Sequence, residues 1–484
     1  MLYTTVNTLD NDILLRIFNY YRLDDGNAWN VRVGWRKLSQ VCQRWRHLIY
    51  ESAFHLGMHI LCTKGTPIVD TLEHLPPLPI FVKYRYKIVT IRGEDELGIY
   101  HALRLRDRVR SIDLLLPPSI LHKSLLLMDK SFQILEDLSL SFTVDKITTF
   151  TLPKTFQAPN LLHLALRGVC LPKRLQLLTS TVSLVTLVLW NIGASGYFTP
   201  RLLVARLQSL SQLEKLSIGF SIPIPRPSAE SELSSRQGTP VTLPNLKILK
   251  FKGISAYLEC LVAQIRTPLL KRLIITLFNQ ITFTLPHLSR FASVAENIKP
   301  DAAEVSFERN KVSINMDNST RLDGDDDDDD DGDDQRFSLH VTCKQLDWQI
   351  GCAAQICSAL MPALSGVEKV ALNFHKETMP TEWRNGEIDV TTWHELLRSF
   401  IGTKELRICG ALSKELSCAL QVDGIELDPG LLPDLQTLVC RFIGHPPARL
   451  FSSFIHARRV AGRPVHQRTT ARTATAARNS DSRL

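Results

Sequence analysis

The chain has no long apolar run, and that absence removes the first class of function to consider. Its most apolar stretch, Val182 to Trp190, falls far short of the roughly 20 residues a membrane-spanning helix needs, and Thr186 interrupts it. The N-terminus has no basic segment and no small-residue cleavage site, and it carries Asp10 and Asp12 among its first apolar residues, so no secretory signal is expected. Paired cysteine ligands are missing too. The ten cysteines are scattered singly from Cys42 to Cys440, with no C-x-x-C pair, which predicts reduced and mostly buried thiols. The nearest two, Cys352 and Cys357, sit among Ala353, Ala354, Ile356 and Leu360 and read as core. Catalytic signatures are equally absent: there is no G-x-x-x-x-G-K-[ST], no G-x-G-x-x-G, no G-x-S-x-G and no H-E-x-x-H. These absences predict a non-catalytic cytoplasmic or nuclear protein, neither secreted nor membrane-bound, that uses no metal or other cofactor.

What is present is a large globular composition with segregated charge. At 484 residues and 44% hydrophobic content the chain can fill two or three domains. The net charge of +8 conceals ten aspartates between Asp323 and Asp334, without which the remainder carries +18. The acidic run imitates the first half of a calcium-binding loop at Asp327, Asp329, Asp331 and Gly332, but Ser338 stands where the bidentate glutamate belongs. It therefore reads as a solvated, disordered insertion over residues 318–336. From Arg458 onward seven arginines face one aspartate among Thr and Ala, which predicts a basic disordered tail over residues 458–484. No aromatic residues interleave with those arginines, so nucleic-acid binding is a subordinate reading.

Two hydrophobic periodicities divide the rest. In residues 1–60, Leu9, Ile13, Leu14, Ile17 and Phe18 fall at spacings of three and four, with Asp10 and Asp12 at the positive end of the expected helix over Thr8 to Tyr21. After a polar loop at Asp24 to Asn30, a second stripe in Leu38, Val41, Cys42, Trp45, Leu48 and Ile49 predicts a second helix. Helices this short cannot bury that much apolar surface alone, which implies a partner.

Over residues 80–457 the pattern changes to hexamers of the form L-x-x-L-x-L. They begin at Val109, Leu135, Leu161, Leu184, Leu213, Leu246, Leu270, Val367, Thr403 and Leu435, and the first seven are spaced 26, 26, 23, 29, 33 and 24 residues apart. Pro159, Pro244, Pro268 and Pro433 each stand two residues before a hexamer. Each hexamer predicts one strand whose alternate apolar residues point inward while neighbouring repeats supply each other's core. The intervening positions would form an open strand face: Ser111 and Asp113, Asp137 and Ser139, His163 and Arg167, Thr186 and Trp190, Lys215 and Ser217, Lys250 and Lys252. Of these, His163, Arg167, Trp190, Lys215, Lys250 and Lys252 are the candidate target contacts. A proline-rich surface loop is expected at 221–243, and the register is lost between 271 and 366, where 303–307, 312–316 and 337–343 alternate as strands.

The N-terminal residues resemble the F-box motif. Leu9, Asp12, Ile13, Leu14 and Ile17-Phe18, then Leu38, Val41-Cys42 and Trp45-Arg46, follow its order, with Asp10 in place of the usual proline and an insertion at Asp24 to Gly34. The resemblance implies docking to the Skp-type adaptor of a cullin-RING (SCF) ubiquitin ligase through Leu9, Ile13, Leu14, Ile17, Phe18, Leu38, Val41 and Trp45. The hexamer array resembles the leucine-rich repeats that often follow an F-box, as in the expanded families of mushroom-forming fungi. The expected fold is thus α/β, a small helical F-box domain followed by an irregular leucine-rich-repeat-like solenoid that holds a target protein. An F-box scaffold acting outside the ligase is the alternative.

Overall fold

The computed structural model describes residues 9–23, 34–52, 56, 59–74, 77–86, 91–142, 150–172, 177–223, 240–294, 300–317, 336–374, 388–421, 431–443 and 450–472. The fold is mixed α/β in two compact units, Met1–Tyr197 and Phe198–Leu484.

The first unit opens with helices α1 (Asn11–Leu23), α2 (Gly34–Ser39) and α3 (Gln43–Glu51). Strands β1 (Ile60–Cys62), β2 (Ile80–Arg85), β3 (Val109–Leu116), β4 (Asp137–Phe142), β5 (Phe150–Thr151), β6 (His163–Arg167), β7 (Val169–Cys170) and β8 (Thr186–Ile192) follow. Strands β1, β2, β3, β4, β6 and β8 lie side by side in chain order, each parallel to the last, and β5 pairs separately with β7. Parallel neighbours need a return crossing, and helices such as Gly93–Arg104 and Pro118–Leu126 supply it.

The second unit contains β9 (Lys215–Phe220), β10 (Val241–Thr242), β11 (Ile248–Gly253), β12 (Ile265–Arg266), β13 (Arg272–Phe278), β14 (Ala302–Glu308), β15 (Lys311–Asp317), β16 (Phe337–Thr342), β17 (Lys369–Phe374), β18 (Glu405–Cys409), β19 (Thr437–Ile443) and β20 (His466–Arg472). The order is β9, β11, β13, β16, β15, β14, β17, β18, β19, β20, with β10 paired to β12. All neighbours are parallel except β15, which runs antiparallel to both β14 and β16. This reversal is why the hexamer register disappears after Leu270. The three strands expected at 303–307, 312–316 and 337–343 are β14, β15 and β16, and the acidic insertion between the last two lies outside the described residues.

The hexamers state the packing rule directly. The first, fourth and sixth residues of every one of them are no more than 2% exposed, from Val109, Ile112 and Leu114 to Leu435, Leu438 and Cys440. Their second residues form ladders between neighbouring hexamers that the hydrophobic pattern does not reveal. Arg110 pairs with Glu136 at 2.7 Å, Glu214 with Lys247 at 2.7 Å, and Glu368 with Lys404 at 2.6 Å. The residue between the proline and the hexamer has its own role twice over: Asn160 Nδ2 donates to the carbonyl of Gln133 at 2.7 Å, and Asn245 Nδ2 to that of Ser211 at 3.0 Å. Each bond spans one repeat and satisfies a backbone acceptor of the one before.

Three expectations are corrected. The second N-terminal helix is two helices, because the chain turns at Gln40 to Cys42 and restarts with Cys42 as a cap. The loop expected at 221–243 ends earlier, since Val241 and Thr242 form β10 and Leu243 is buried; residues 224–239 lie outside the described residues. The basic tail does not begin at Arg458. That residue lies in the helix Ser452–Val460, is 1% exposed, and donates to the carbonyls of Leu432 (3.1 Å), Pro433 (3.1 Å) and Leu435 (3.0 Å). Beyond it, β20 adds to β19 over seven residue pairs. A main-chain ladder asks for no apolar side chains, so composition gave no sign of it. Residues 473–484 are not described.

All ten cysteines are free, six of them buried. No helix among the described residues is long and apolar enough to cross a membrane.

Candidate partner-binding surfaces

The first surface is built on α1, α2 and α3. Leu14 and Phe18 turn inward, at 0% and 2% exposure, and meet a core that includes Leu48 and Ile49 of α3. The Trp45 ring meets Phe18 edge-on with centroids 4.8 Å apart. Cys42 explains the spacing of the Val-Cys-x-x-Trp segment. Its backbone is extended, with φ −158°, and its Sγ accepts the Trp45 backbone N–H at 3.5 Å, so the cysteine caps α3 and sets the tryptophan in the first turn. Arg44 then ties α3 back to the start of α1, donating to the Leu9 carbonyl at 2.6 Å and to Asn11 Oδ1 at 2.9 Å. Arg46 Nε donates to the Ser39 carbonyl at 3.0 Å, which holds α2 to α3.

With the inward positions occupied, an apolar stripe remains outside. Ile13 and Ile17 are each 44% exposed, Val41 60% and Tyr20 74%. Ile13, Ile17 and Tyr20 follow a spacing of four and then three, so they share one face of α1. Of the eight residues assigned to adaptor contact, Ile13, Ile17 and Val41 are therefore outward, Leu14 and Phe18 are core, and Leu9, Leu38 and Trp45 are half-buried. Tyr20 is not among the assigned residues, because the motif's first segment ends at Ile17-Phe18. The spacing from Ile13 and Ile17 was the available signal.

The second surface is the strand face, described separately in each unit. In the first, Asp137, His163 and Thr186 stand in register on β4, β6 and β8, and Arg167 on β6 is level with Trp190 on β8. His163 and Arg167 are exposed and Trp190 is half-buried. His163 Nε2 approaches Asp137 Oδ1 at 4.0 Å. Burial pushes the Asp137 carboxyl above its ordinary range, His163 and Arg110 acting against it and Glu136 with it. Arg85 and Asp113 pair at 2.8 Å on the same face.

In the second unit Lys215, Lys250 and Lys252 are half-buried on β9 and β11. Lys250 is level with Ser217, and Lys252 Nζ sits 5.9 Å from the Phe278 ring centre. Further along the face lies a hydrogen-bonded polar group that the hexamer pattern missed, since it falls where the register reverses. Ser338 Oγ donates to Asn315 Oδ1 at 2.9 Å, His340 Nδ1 and Ser313 Oγ are 2.8 Å apart, and Asn373 Nδ2 donates to Glu304 Oε1 at 2.7 Å. Burial and then Lys311 push the His340 ring down to about 4, with Glu308 opposing, so the ring is neutral at pH 7. The six candidate target contacts thus fall three in each unit.

Among the described residues no three His, Cys, Asp or Glu side chains are grouped so as to hold a metal ion, and the calcium-like Asp327 to Gly332 stretch lies outside them. No protein-family model matches the chain, and no curated protein matches it in sequence.

Proposed function

We propose that the protein is a non-catalytic substrate receptor of an SCF ubiquitin ligase, with α1–α3 as its F-box and the parallel-strand array as a leucine-rich-repeat-like solenoid that holds a target. The observation that carries the reading is the exposure of Ile13, Ile17, Tyr20 and Val41 on a small helical module whose core is formed by Leu14, Phe18, Leu48 and Ile49. Four large apolar side chains on one module suit a permanent partner better than solvent. The motif order from Leu9 to Arg46 supports the same partner, a Skp-type adaptor, and the regular hexamers support the repeat array.

An F-box scaffold outside the ligase would use the same helices. Affinity purification of the tagged chain separates the two: recovery of adaptor together with a cullin is expected, whereas adaptor without cullin favours the scaffold, and neither protein removes the F-box reading.

A further inference from the structure

Two of the ten cysteines, Cys343 and Cys352, are brought together by the fold. Inward side chains alternate along β16 as Phe337, Leu339 and Val341, and Cys343, 4% exposed, continues the series one step past the strand's end. The helix Leu346–Ala359 packs against that end. Its Gln349 Nε2 donates to the carbonyls of Glu308 at 2.7 Å and Cys343 at 3.0 Å, and Cys352, one turn further along the same helix face, is 6% exposed. Cys352 Sγ also approaches Asn279 Oδ1 at 3.8 Å. Phe278 and Thr342 are in register on neighbouring parallel strands, and Asn279 and Cys343 are the residues that follow them. Gln349 and Asn279 thus fix the same place for Cys352, beside Cys343, and the two thiols are joined there by a hydrogen bond.

The contact divides the roles. A hydrogen bond from Cys343 favours the Cys352 thiolate and holds it below the ordinary thiol range against the opposing effect of burial, while the same bond and then burial push Cys343 up. Cys352 is therefore the nucleophile. Cys357 is nearer to Cys352 in sequence but lies about 140° further round the helix, is fully buried, and has its thiol pushed up by burial. We propose that Cys343 and Cys352 are a modification site that hydrogen peroxide converts to a reversible disulfide, linking the end of β16 to the following helix. The Cys352 thiolate attacks one peroxide oxygen; the O–O bond breaks, the departing hydroxide takes a proton to become water, and Cys352 is left as the sulfenic acid. The Cys343 sulfur then attacks the Cys352 sulfur, the S–O bond breaks, and the Cys343 proton leaves with that oxygen as a second water. Two thiols lose two electrons and one peroxide becomes two waters. Near-complete burial favours this small oxidant over a bulky one such as oxidised glutathione. The site is independent of the reading of α1–α3 as an F-box.

The test treats the full-length chain with hydrogen peroxide, blocks the remaining thiols with iodoacetamide in denaturant, and reads the tryptic digest by mass spectrometry. Trypsin cuts after Arg336, Lys344 and Lys369, so Cys343 and Cys352 fall on separate peptides, 337–344 and 345–369. In the wild type these two peptides are expected joined, through Cys352 by their fragment ions, at least tenfold faster than any other pair of cysteines is linked, and dithiothreitol should part them. Cys343→Ser should leave Cys352 as a sulfenic acid that dimedone traps, Cys352→Ser should abolish the joined pair, and Cys357→Ser should leave it unchanged. Far-UV circular dichroism establishes that each variant is folded, and the wild-type digest decides the matter even where one is not. No joined pair in the wild type overturns the proposal, as does a link through Cys357 or one formed no faster than links among the other cysteines.

Discussion

A half-buried ring and a buried guanidinium make the account testable at the scale of single residues. Burial holds the His340 ring neutral, its pKa pushed down to about 4, against about 6.5 in an unfolded chain. Between those values the unfolded chain binds more protons than the folded one, so the stability due to the neutral ring is complete above about pH 6.5 and is lost as pH falls toward 4. The loss is at most roughly 3 kcal/mol. Urea denaturation at several pH values should show this acid sensitivity in the wild type and a flatter profile in His340→Gln; identical profiles would mean that the ring titrates normally. Arg458 is the second case. Its guanidinium answers three backbone carbonyls, of which Leu432 also accepts the Leu435 N–H, so Arg458→Met keeps the volume but takes the donor from Pro433 and Leu435, and should cost about 2 kcal/mol or more. A cost near zero would mean that Arg458 does not anchor the helix Ser452–Val460 to the Leu432–Leu435 segment.

At the scale of elements, the same three helices contain residues that hold them together and residues that face out, and substitution should separate the two. Trp45→Ala removes the ring packed on Phe18 and should cost about 2–3 kcal/mol, seen as a lower melting temperature. Ile17→Asp, on the outward stripe, should lie within about 0.5 kcal/mol of the wild type. Equal destabilisation by both would place Ile17 in the core. Periodicity made the helices and the apolar residues legible but not their division, because Ile13 and Leu14 are adjacent in sequence and equally apolar. What turns Leu14 inward and leaves Ile13 out is the course of α2 and α3. That course depends on the Cys42 cap and the Arg44 ties, which leave no hydrophobic signature. The strands were more legible, since a period of two with Leu at fixed offsets marks one inward face. β15 and β20 escaped the hexamer pattern for opposite reasons: one alternates but runs backward, and the other is held by its main chain.

At the scale of the whole molecule, the proposed receptor function puts docking on the outward apolar residues of α1 and of the turn after α2 and leaves the strand faces for the target. Isothermal titration of a purified Skp-type adaptor into the full-length chain, wild type against Ile17→Asp/Val41→Asp, tests the central claim most directly. Both substituted positions are exposed in the free chain, at 44% and 60%, so the variant should fold while burying two charges in any apolar interface. Tight binding by the wild type and a loss of at least a hundredfold in the folded variant are predicted; undiminished binding by the variant would contradict the claim that this stripe is the docking surface.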